Sequence, residues 1–418
     1  MSSSASSSSD DLLPKLPEDV IEEILKRLPV RCLLRFRCVC RSWRSTIDGP
    51  LFVALHLNHS ALDPSNRYLA YLHLAQGNPL HLASPRSLCS LSSGDSLSMS
   101  QIEVPFAAPF SRYRFVGSCN GLICLTKISR IGLRYHLSTY LWNLFTRKHK
   151  AVPRSRVGSA VGFGFDARSN DYKIVRIYPR YGAGDSYPYA EHPVSKPRVE
   201  IYSLSTNSWR SLKCEVPTLS CSRATVFLNG NLHWFVSHHN DRFVSRLKYL
   251  GRDRGYGSIL LFDVTSEVFN KMALSAELLR KVCVSRVVVL SLLNDLLAVC
   301  TSSAVGLYPR RRSACSIWVM KEYGMPESWT KLYSFLVDEK VRGFDGFTMN
   351  GELLMVIDDH ERVSWNPITR QFTYPPLVMR SNLVTVVESL VSLEPRPMPL
   401  HLPVLQIDSA CESVDIDM

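Results

Sequence analysis

Two hydrophobic periodicities divide the chain. Between residues 14 and 50, apolar side chains recur at helical spacing. Val20, Ile21, Ile24, Leu25 and Leu28 form one stripe. Leu16-Pro17-Glu18-Asp19 precedes it, with proline suited to a first turn and acids favoured at the positive end of a helix. Lys26 and Arg27 are expected in the last turn, and Pro29 ends the helix. Val30, Leu33, Leu34 and Phe36 follow as a second short set, and Val39, Trp43 and Ile47 then repeat every fourth residue. The pattern predicts about three helices in roughly 35 residues. A unit this small cannot bury all its apolar side chains, so the surplus is expected to form an interface.

From about residue 60 the pattern changes to short apolar strands separated by turn residues. One hairpin recurs, with an aromatic, a polar turn and a second strand. It is centred on Trp142, Tyr202, Phe262, Trp318 and Trp365, at steps of 60, 60, 56 and 47 residues. A second element precedes most copies: Asn120-Gly121, Asn229-Gly230, Asn294-Asp295 and Asn350-Gly351, each leading into an apolar strand. Asn-Gly supplies the positive φ angles of a tight hairpin. Two hairpins per repeat give a four-stranded unit, and the spacing predicts a β-propeller of about six blades. The tract Val387–Leu393 is expected to supply a ring-closing strand. The fold class is therefore α+β and multidomain, a small helical module followed by an all-β propeller.

The first module resembles a plant F-box nearly end to end. The resemblance rests on Leu16-Pro17, Glu18-Asp19, Glu23-Ile24-Leu25, Arg27-Leu28-Pro29, Leu33 to Arg37, Val39-Cys40 and Ser42-Trp43. Arg31-Cys32 stands where the family has Lys-Ser. The remainder resembles the F-box-associated and kelch-type domains that follow plant F-boxes. It does so through Gly117-Ser118-Cys119-Asn120-Gly121-Leu122, Gly162-Phe163-Gly164-Phe165-Asp166 and Asn170-Asp171-Tyr172-Lys173. The double glycine of kelch blades is absent, so the associated-domain pattern is the nearer one. The resemblance implies a substrate-recognition subunit of a Skp–cullin–F-box ubiquitin ligase. Such a subunit binds a Skp-type adaptor, and through it a cullin, and holds a protein target on the propeller. It also implies that Leu16, Pro17, Ile24, Leu25, Leu28, Pro29, Leu33, Leu34, Val39 and Trp43 divide between the module's core and its adaptor-facing surface. The expected division is a Ser-rich tail at 1–13, an F-box at 14–58, a propeller at 59–396 and an acidic tail at 397–418. Both tails are expected to be mobile and dispensable for folding.

Composition narrows the chemistry. No apolar run is long enough for a membrane helix, and the N-terminus MSSSASSSSDD lacks the basic start and apolar core of a secretory signal, so cytoplasm or nucleus is expected. The 12 cysteines include no Cys-x-x-Cys pair, and reduced thiols with no metal site are expected. Gly162-Phe163-Gly164-Phe165 imitates the start of a dinucleotide fingerprint. It leads into Asn170-Asp171 and a strand rather than a helix, and is rejected. His238-His239 are adjacent and cannot share a strand face. No nucleotide loop, nucleophile elbow or zinc-protease motif occurs. No catalytic residue and no cofactor are implied.

The formal charge of +12 admits an acidic protein, nucleic acid or a membrane surface as partner. Lys26, Arg27, Arg31, Arg35, Arg37, Arg41 and Arg44 occur with no acid between Glu23 and Asp48, as in a helix-turn-helix nucleic-acid binder. Against that reading, the apolar positions occupy much of each short helix. A glycan-binding or hydrolytic propeller carrying an F-box, and a basic nucleic-acid-binding protein, stand as alternatives. Other basic residues fall in the connections 126–139, 178–198, 237–257, 301–315 and 358–362, which one face of a propeller would share. They mix arginine with aromatics: Arg180, Tyr187, Tyr189, Arg242, Arg246, Arg252, Arg254, Arg310, Arg311 and Arg312. Such a mixture suits an interface, and an acidic or phosphorylated stretch of a target is the expected ligand.

Overall fold

The computed structural model describes residues 16–74, 87–93, 96–106, 112–131, 134–154, 160–178, 198–214, 220–237, 257–306, 312–358, 361–374 and 383–394. Both predicted tails, His238-His239 and most of the arginine-aromatic connections lie outside the described residues.

Three helices form where the periodicity placed them: α1 (Glu18–Leu25), α2 (Val30–Phe36) and α3 (Arg41–Asp48). Two details differ. Lys26 and Arg27 lie beyond α1, and their side chains turn back to pair with Glu23, with Arg27 Nη1 at 2.6 Å. Val39 precedes α3, whose N-terminus is capped by the Cys40 thiol accepting from the Trp43 amide. A fourth helix, α4 (Pro50–Leu62), starts with proline in its first turn and runs past residue 58 into the tract expected to be β-like. Leu25, Val30, Leu33, Ile47, Phe52 and Val53 form the core of this helical module.

The described strands form six four-stranded antiparallel sheets. In chain order the strands are β1 (Arg67–Leu74), β2 (Ser87–Ser93), β3 (Ser96–Glu103), β4 (Arg112–Cys119), β5 (Leu122–Ile131), β6 (Arg134–Asn143), β7 (His149–Ala151) and β8 (Ala160–Asp166). Then follow β9 (Asp171–Tyr178), β10 (Arg198–Ser203), β11 (Ser208–Leu212), β12 (Ser220–Leu228), β13 (Asn231–Ser237), β14 (Gly257–Asp263), β15 (Phe269–Met272) and β16 (Val287–Leu293). The last are β17 (Leu296–Val305), β18 (Arg312–Met320), β19 (Trp329–Val337), β20 (Gly343–Phe347), β21 (Leu353–Val356), β22 (Arg362–Trp365), β23 (Phe372–Thr373) and β24 (Val384–Val387). Five sheets use consecutive strands, and the sixth has the order β24-β1-β2-β3. The first strands adjoin one another around an axis: β24 beside β4, then β8, β12, β16 and β20. An apolar cluster lies between each sheet and the next, and Leu354 meets Leu69 and Tyr71 where the last sheet meets the first. The architecture is an all-β propeller.

The turn chemistry explains the repeat. Asn120-Gly121, Asn229-Gly230 and Asn294-Asp295 all adopt positive φ at both residues, joining the first and second strands of three sheets. The turn after the third strand has its own device. Asn143, Asp263 and Asn366 each accept, through one side-chain oxygen, from the amides two and three residues on. The fifth residue of these turns, Arg147, Glu267 or Arg370, is left-handed, as is Asn207 in the equivalent turn. The aromatics Trp142, Tyr202, Phe262, Trp318 and Trp365 are all buried in third strands. The equivalent strand of the sixth sheet, β2, contains no aromatic, which is why the sequence displays only five hairpins of this kind. A helix absent from the sequence reading, α5 (Ala276–Val284), is capped by Ser275 and packs Leu278 and Val282 between two sheets.

The ring closes through β24, whose residues Val384–Val387 pair with Ala70–Arg67 of β1. The expected closing strand at Val387–Leu393 is thus corrected: beyond Val387 the chain leaves the sheet. Its backbone is held instead by side chains, with the Asn143 amide donating to the Ser389 and Val391 carbonyls at 2.9 and 3.0 Å. Gly121 lies against this tract with φ +77°, and a Cβ there would come within 2.2 Å of the Ser389 Cβ and 2.7 Å of the Val387 oxygen. Gly121→Ala is therefore expected to cost about 2–4 kcal/mol in chemical denaturation, from left-handed strain plus a clash at ring closure. Gly230→Ala, at φ +72° with nothing within 4 Å, should cost only the strain, about 1–2 kcal/mol.

Candidate adaptor and target surfaces

The F-box-like module contains ten residues singled out from the sequence, and burial separates them. Leu16, Ile24 and Val39 are 57%, 49% and 65% exposed, and Pro17 and Pro29 are also exposed. Leu25 and Leu33 are 2% and 0% exposed, so they shape the surface only by holding the helices together. Leu28, Leu34 and Trp43 are half-buried against the module's core, with the Trp43 ring 5.2 Å from that of Phe36. Val20 and Leu51 are exposed apolar residues that the sequence reading did not select. Neighbouring residues on a short helix have opposite fates here because the apolar stripe is wider than the core face it covers. The arginines are partly spent internally: Arg37 pairs with Asp48 at 2.7 Å, and Arg44 approaches it at 3.8 Å.

This module is fixed to the propeller at the break in the ring. The Glu388 carboxylate accepts from the Val30 amide at 2.8 Å, capping α2 where Pro29 has no side-chain oxygen to do so, and from the Tyr68 hydroxyl at 3.0 Å. Burial, together with the Glu388 charge, pushes the Tyr68 phenol up to about 12. His56 is buried, donates Nε2–H to the Leu28 carbonyl at 3.0 Å and is held below its ordinary pKa by that burial. Leu390, Val391 and Phe145 of the propeller pack into the module's core. Nothing local in the sequence pointed to Glu388, since its partners are hundreds of residues away.

Phe145 sits in the turn between β6 and β7, and Gly121 between β4 and β5, so the module lies at that end of the sheets. The connections between second and third strands leave from the opposite end. Their described flanks are Ile131 and Arg134, Tyr178 and Arg198, Ser237 and Gly257, Val305 and Arg312, and Val356 and Arg362. The first of these connections is not the long loop read from the sequence. β5 and β6 pair as far as Ile131 with Arg134, so Lys127, Arg130 and Arg134 lie on strands. Of the ten target-facing residues proposed from the sequence, Arg180, Tyr187, Tyr189, Arg242, Arg246, Arg252, Arg254, Arg310 and Arg311 lie outside the described residues. Arg312 begins β18 and pairs with Asp338 at 2.9 Å, and Arg362 pairs with Asp345 at 2.7 Å.

Polar groups in the propeller interior serve packing. Lys173 donates to Asp166 at 2.8 Å, to Glu267 at 2.9 Å and to the Val264 carbonyl at 2.9 Å, stapling two sheets. His233 bonds the Val226 carbonyl through Nδ1 and accepts the Tyr323 hydroxyl at Nε2, 2.8 Å away. Burial lowers this histidine to about 4 and raises this tyrosine to about 12, so neither is poised for proton transfer near neutrality. Burial likewise pushes the Cys89 thiol up to about 12 and Cys315 to about 11. Among the described residues no group of three or more His, Cys, Asp or Glu could hold a metal ion. No described helix is long and apolar enough to cross a membrane.

The family described as the F-box associated beta propeller domain matches residues 97–363, and the F-box domain matches residues 13–54. The chain belongs to the F-box-associated β-propeller family. This F-box protein is similar to an F-box/kelch-repeat protein of Arabidopsis thaliana, 29% identical over 335 residues, 76% of this chain and 79% of that one. It is also 29% identical over 342 residues to an F-box protein of the same plant, covering 77% of this chain and 73% of the relative. The F-box match contains all ten residues of the expected adaptor set. The propeller match runs from β3 to β22, leaving β1, β2, β23 and β24 of this F-box protein outside it, among them the ring-closing pair β1 and β24.

Proposed function

We propose that this F-box protein is the target-binding subunit of a Skp–cullin–F-box ubiquitin ligase. In this reading the F-box is residues 14–58 and the propeller residues 59–396, with the six sheets as six blades. Leu16, Ile24 and Val39, flanked by Pro17 and Pro29, dock a Skp-type adaptor that connects to a cullin. Leu28, Leu34 and Trp43 support that face from below. The observation that carries the proposal is the exposure of the apolar residues Leu16, Val20, Ile24 and Val39 on a helical module that is hydrogen-bonded and packed onto one end of a propeller. The subunit does no chemistry itself. It raises the effective concentration of a bound protein near the conjugating enzyme, and the contacts of Glu388, Leu390 and Val391 with the helical module hold the two parts together. Cytoplasm or nucleus is the compartment this role requires.

The target face is the opposite end of the sheets, with Arg180, Tyr187, Tyr189, Arg242, Arg246, Arg252, Arg254, Arg310, Arg311 and Arg312 as the proposed contacts. Arginine with tyrosine suits an acidic or phosphorylated segment through bidentate hydrogen bonds and flat apolar contact. The test is affinity purification with the proteasome blocked, comparing the full chain with a variant lacking residues 1–58. Charge-reversed variants Arg252→Glu/Arg254→Glu and Arg310→Glu/Arg311→Glu/Arg312→Glu complete the set. Charge reversal is expected to abolish target capture while leaving adaptor capture unchanged. Equal target recovery by both charge-reversed proteins would move the target site elsewhere.

A further inference from the structure

The outer edges of the six sheets differ in length. The outermost described strands are β3, β7, β11, β15, β19 and β23, and β19 is the longest of them at nine residues. Its neighbours round the ring, β15 and β23, have only four and two residues, so β19 stands between two short edges. Among the described residues no strand pairs with its outer side. Soluble proteins blunt such edges with charge, proline or a bulge. β19 has a bulge and Lys331 near its start, but residues 332–337 contain no charge, proline or glycine. Leu332 and Leu336 are 39% and 53% exposed there. Six uncharged residues rich in aromatic and aliphatic side chains on an open edge form the pattern that pairs with another strand.

The sequence of this edge is its own complement. Leu332-Tyr333-Ser334-Phe335-Leu336 reads aliphatic, aromatic, serine, aromatic, aliphatic from either end. Leu332, Ser334 and Leu336 are exposed, whereas Tyr333 and Phe335 are half-buried against Trp365 of the next sheet, with Phe335 stacked on it at 3.9 Å. An antiparallel partner of identical sequence, centred on Ser334, faces Leu332 with Leu336, Tyr333 with Phe335 and Ser334 with itself. Aliphatic and aromatic cross-strand pairs of this kind stabilise a sheet. The charges at the strand ends agree. Lys331 lies 5.3 Å over the Trp318 ring, and Asp338 pairs with Arg312 at 2.9 Å. Trp318 and Arg312 are six residues apart on β18 and so share a side of the sheet, the side of Ala314 and its partner Leu336. An antiparallel pair sets Lys331 of one copy diagonally beside Asp338 of the other at both ends, whereas a parallel in-register pair would set like charges together.

We propose that β19 is a homodimerisation edge. Two copies of this chain pair their β19 strands antiparallel about a twofold axis at Ser334, joining two four-stranded sheets into one continuous sheet. The occupant is a second copy, because an identical edge meets both leucines, both rings and both end charges at once. The pairing uses up the open edge of each copy, so assembly closes at two. The formal charge of +12 opposes self-association at long range, which makes an uncharged strip the place where two copies can meet. The sheet of β19 lies three places round the ring from that of Phe145, across the propeller from the attachment of the helical module. Pairing there leaves both ends of the sheets uncovered, and it depends on neither the adaptor contacts nor the target contacts.

Sedimentation velocity of the full chain across a range of concentrations should show a reversible monomer–dimer equilibrium, with the mass doubling and no larger species. Leu332→Glu/Leu336→Glu and Leu332→Lys/Leu336→Lys proteins should each dimerise about 100-fold more weakly, since two apolar pairs are lost and two like-charge pairs replace them. Mixed in equal amounts, the two should form a heterodimer, because Glu then faces Lys at every such pair. Both positions are exposed, and circular dichroism should show the fold unchanged. Ser334→Cys tests the axis without adding charge. Directly opposed residues lie about 4.5–5.5 Å apart at Cα, within the range a disulfide spans. In a glutathione redox buffer Ser334→Cys should form a covalent dimer well above the background of the native chain, whose Cys38 and Cys40 are exposed. Four results would overturn the proposal: a native chain that stays monomeric at every concentration; a doubly charged variant as dimeric as the native chain; charge-swapped proteins that do not associate on mixing; or Ser334→Cys no more cross-linked than the native chain.

Discussion

Ile24→Asp is expected to abolish capture of a Skp-type adaptor while leaving the protein folded. Ile24 is half-exposed on α1, one turn from the exposed Val20, and is absent from the module's buried core. A carboxylate there loses apolar contact area and would be buried without a partner in the complex. Central interface positions of this kind carry about 2–4 kcal/mol, or roughly a 30- to 1,000-fold loss of affinity. The melting temperature should be unchanged. Leu25→Asp is the internal contrast. One residue away, it puts a charge into the core and should unfold the F-box helices outright. Trp43→Ala is less informative, because Trp43 also packs on Phe36 and its loss mixes stability with affinity. The readouts are adaptor titration and circular dichroism on the same preparations. Full-affinity binding by Ile24→Asp would mean that the adaptor docks elsewhere.

Lys173→Met should destabilise the propeller by about 3–5 kcal/mol, because it leaves buried carboxylates without their cation. Lys173 is 7% exposed at its side chain, Asp166 5% and Glu267 16%. Burial favours a neutral Asp166, but donors from Lys173, Ser169 and Thr265 outweigh it and hold the carboxyl at about 2. Glu267 is also held low: burial opposes this, and Arg210 and Lys173 prevail. Lys173 itself is raised, since its two carboxylate bonds outweigh the effect of burial. The signs follow. A depressed Asp166 contributes stability that is complete above the unfolded carboxyl pKa, about 3.9, and is lost as pH falls from there through about 2. A raised Lys173 contributes stability present below the unfolded lysine pKa, about 10.4, and lost as pH rises through its folded value. Urea unfolding as a function of pH should show both slopes in the native chain and a shallower acid limb in Lys173→Met. A loss under about 1 kcal/mol with an unaltered acid limb would show that the staple is idle.

Local pattern carried much of this molecule. The 3.6-residue spacing of Val20, Ile24 and Leu25 was sufficient for α1, and Asn120-Gly121 and Asn229-Gly230 placed tight hairpins. The recurring aromatics marked third strands, because a large ring at that position fills the space between two sheets. α5 was missed although Ser275 and Glu277 announced its start, since nine residues within a strand-rich tract show too little periodicity to stand out. The residues bearing the proposed function were less legible. Ile24 and Leu25 are both apolar, both in the motif and adjacent, and only the placement of α2 to α4 separates surface from core.

What the sequence by itself determined is the set of elements and their repetition, because helix periodicity, turn chemistry and the alternation of strands depend on residues a few positions apart. What only the tertiary structure decided is the closure and the joint. The sheet beginning with β1 leaves one edge without a partner, and the strand that fills it comes from the other end of the chain. That choice brings Glu388 to the Val30 amide, 358 residues away in sequence. Neither Val30 nor Glu388 carries a local signature of the other. Their contact exists because the first sheet takes its innermost strand from the far end of the chain, and the residues that follow that strand pack against the helical module.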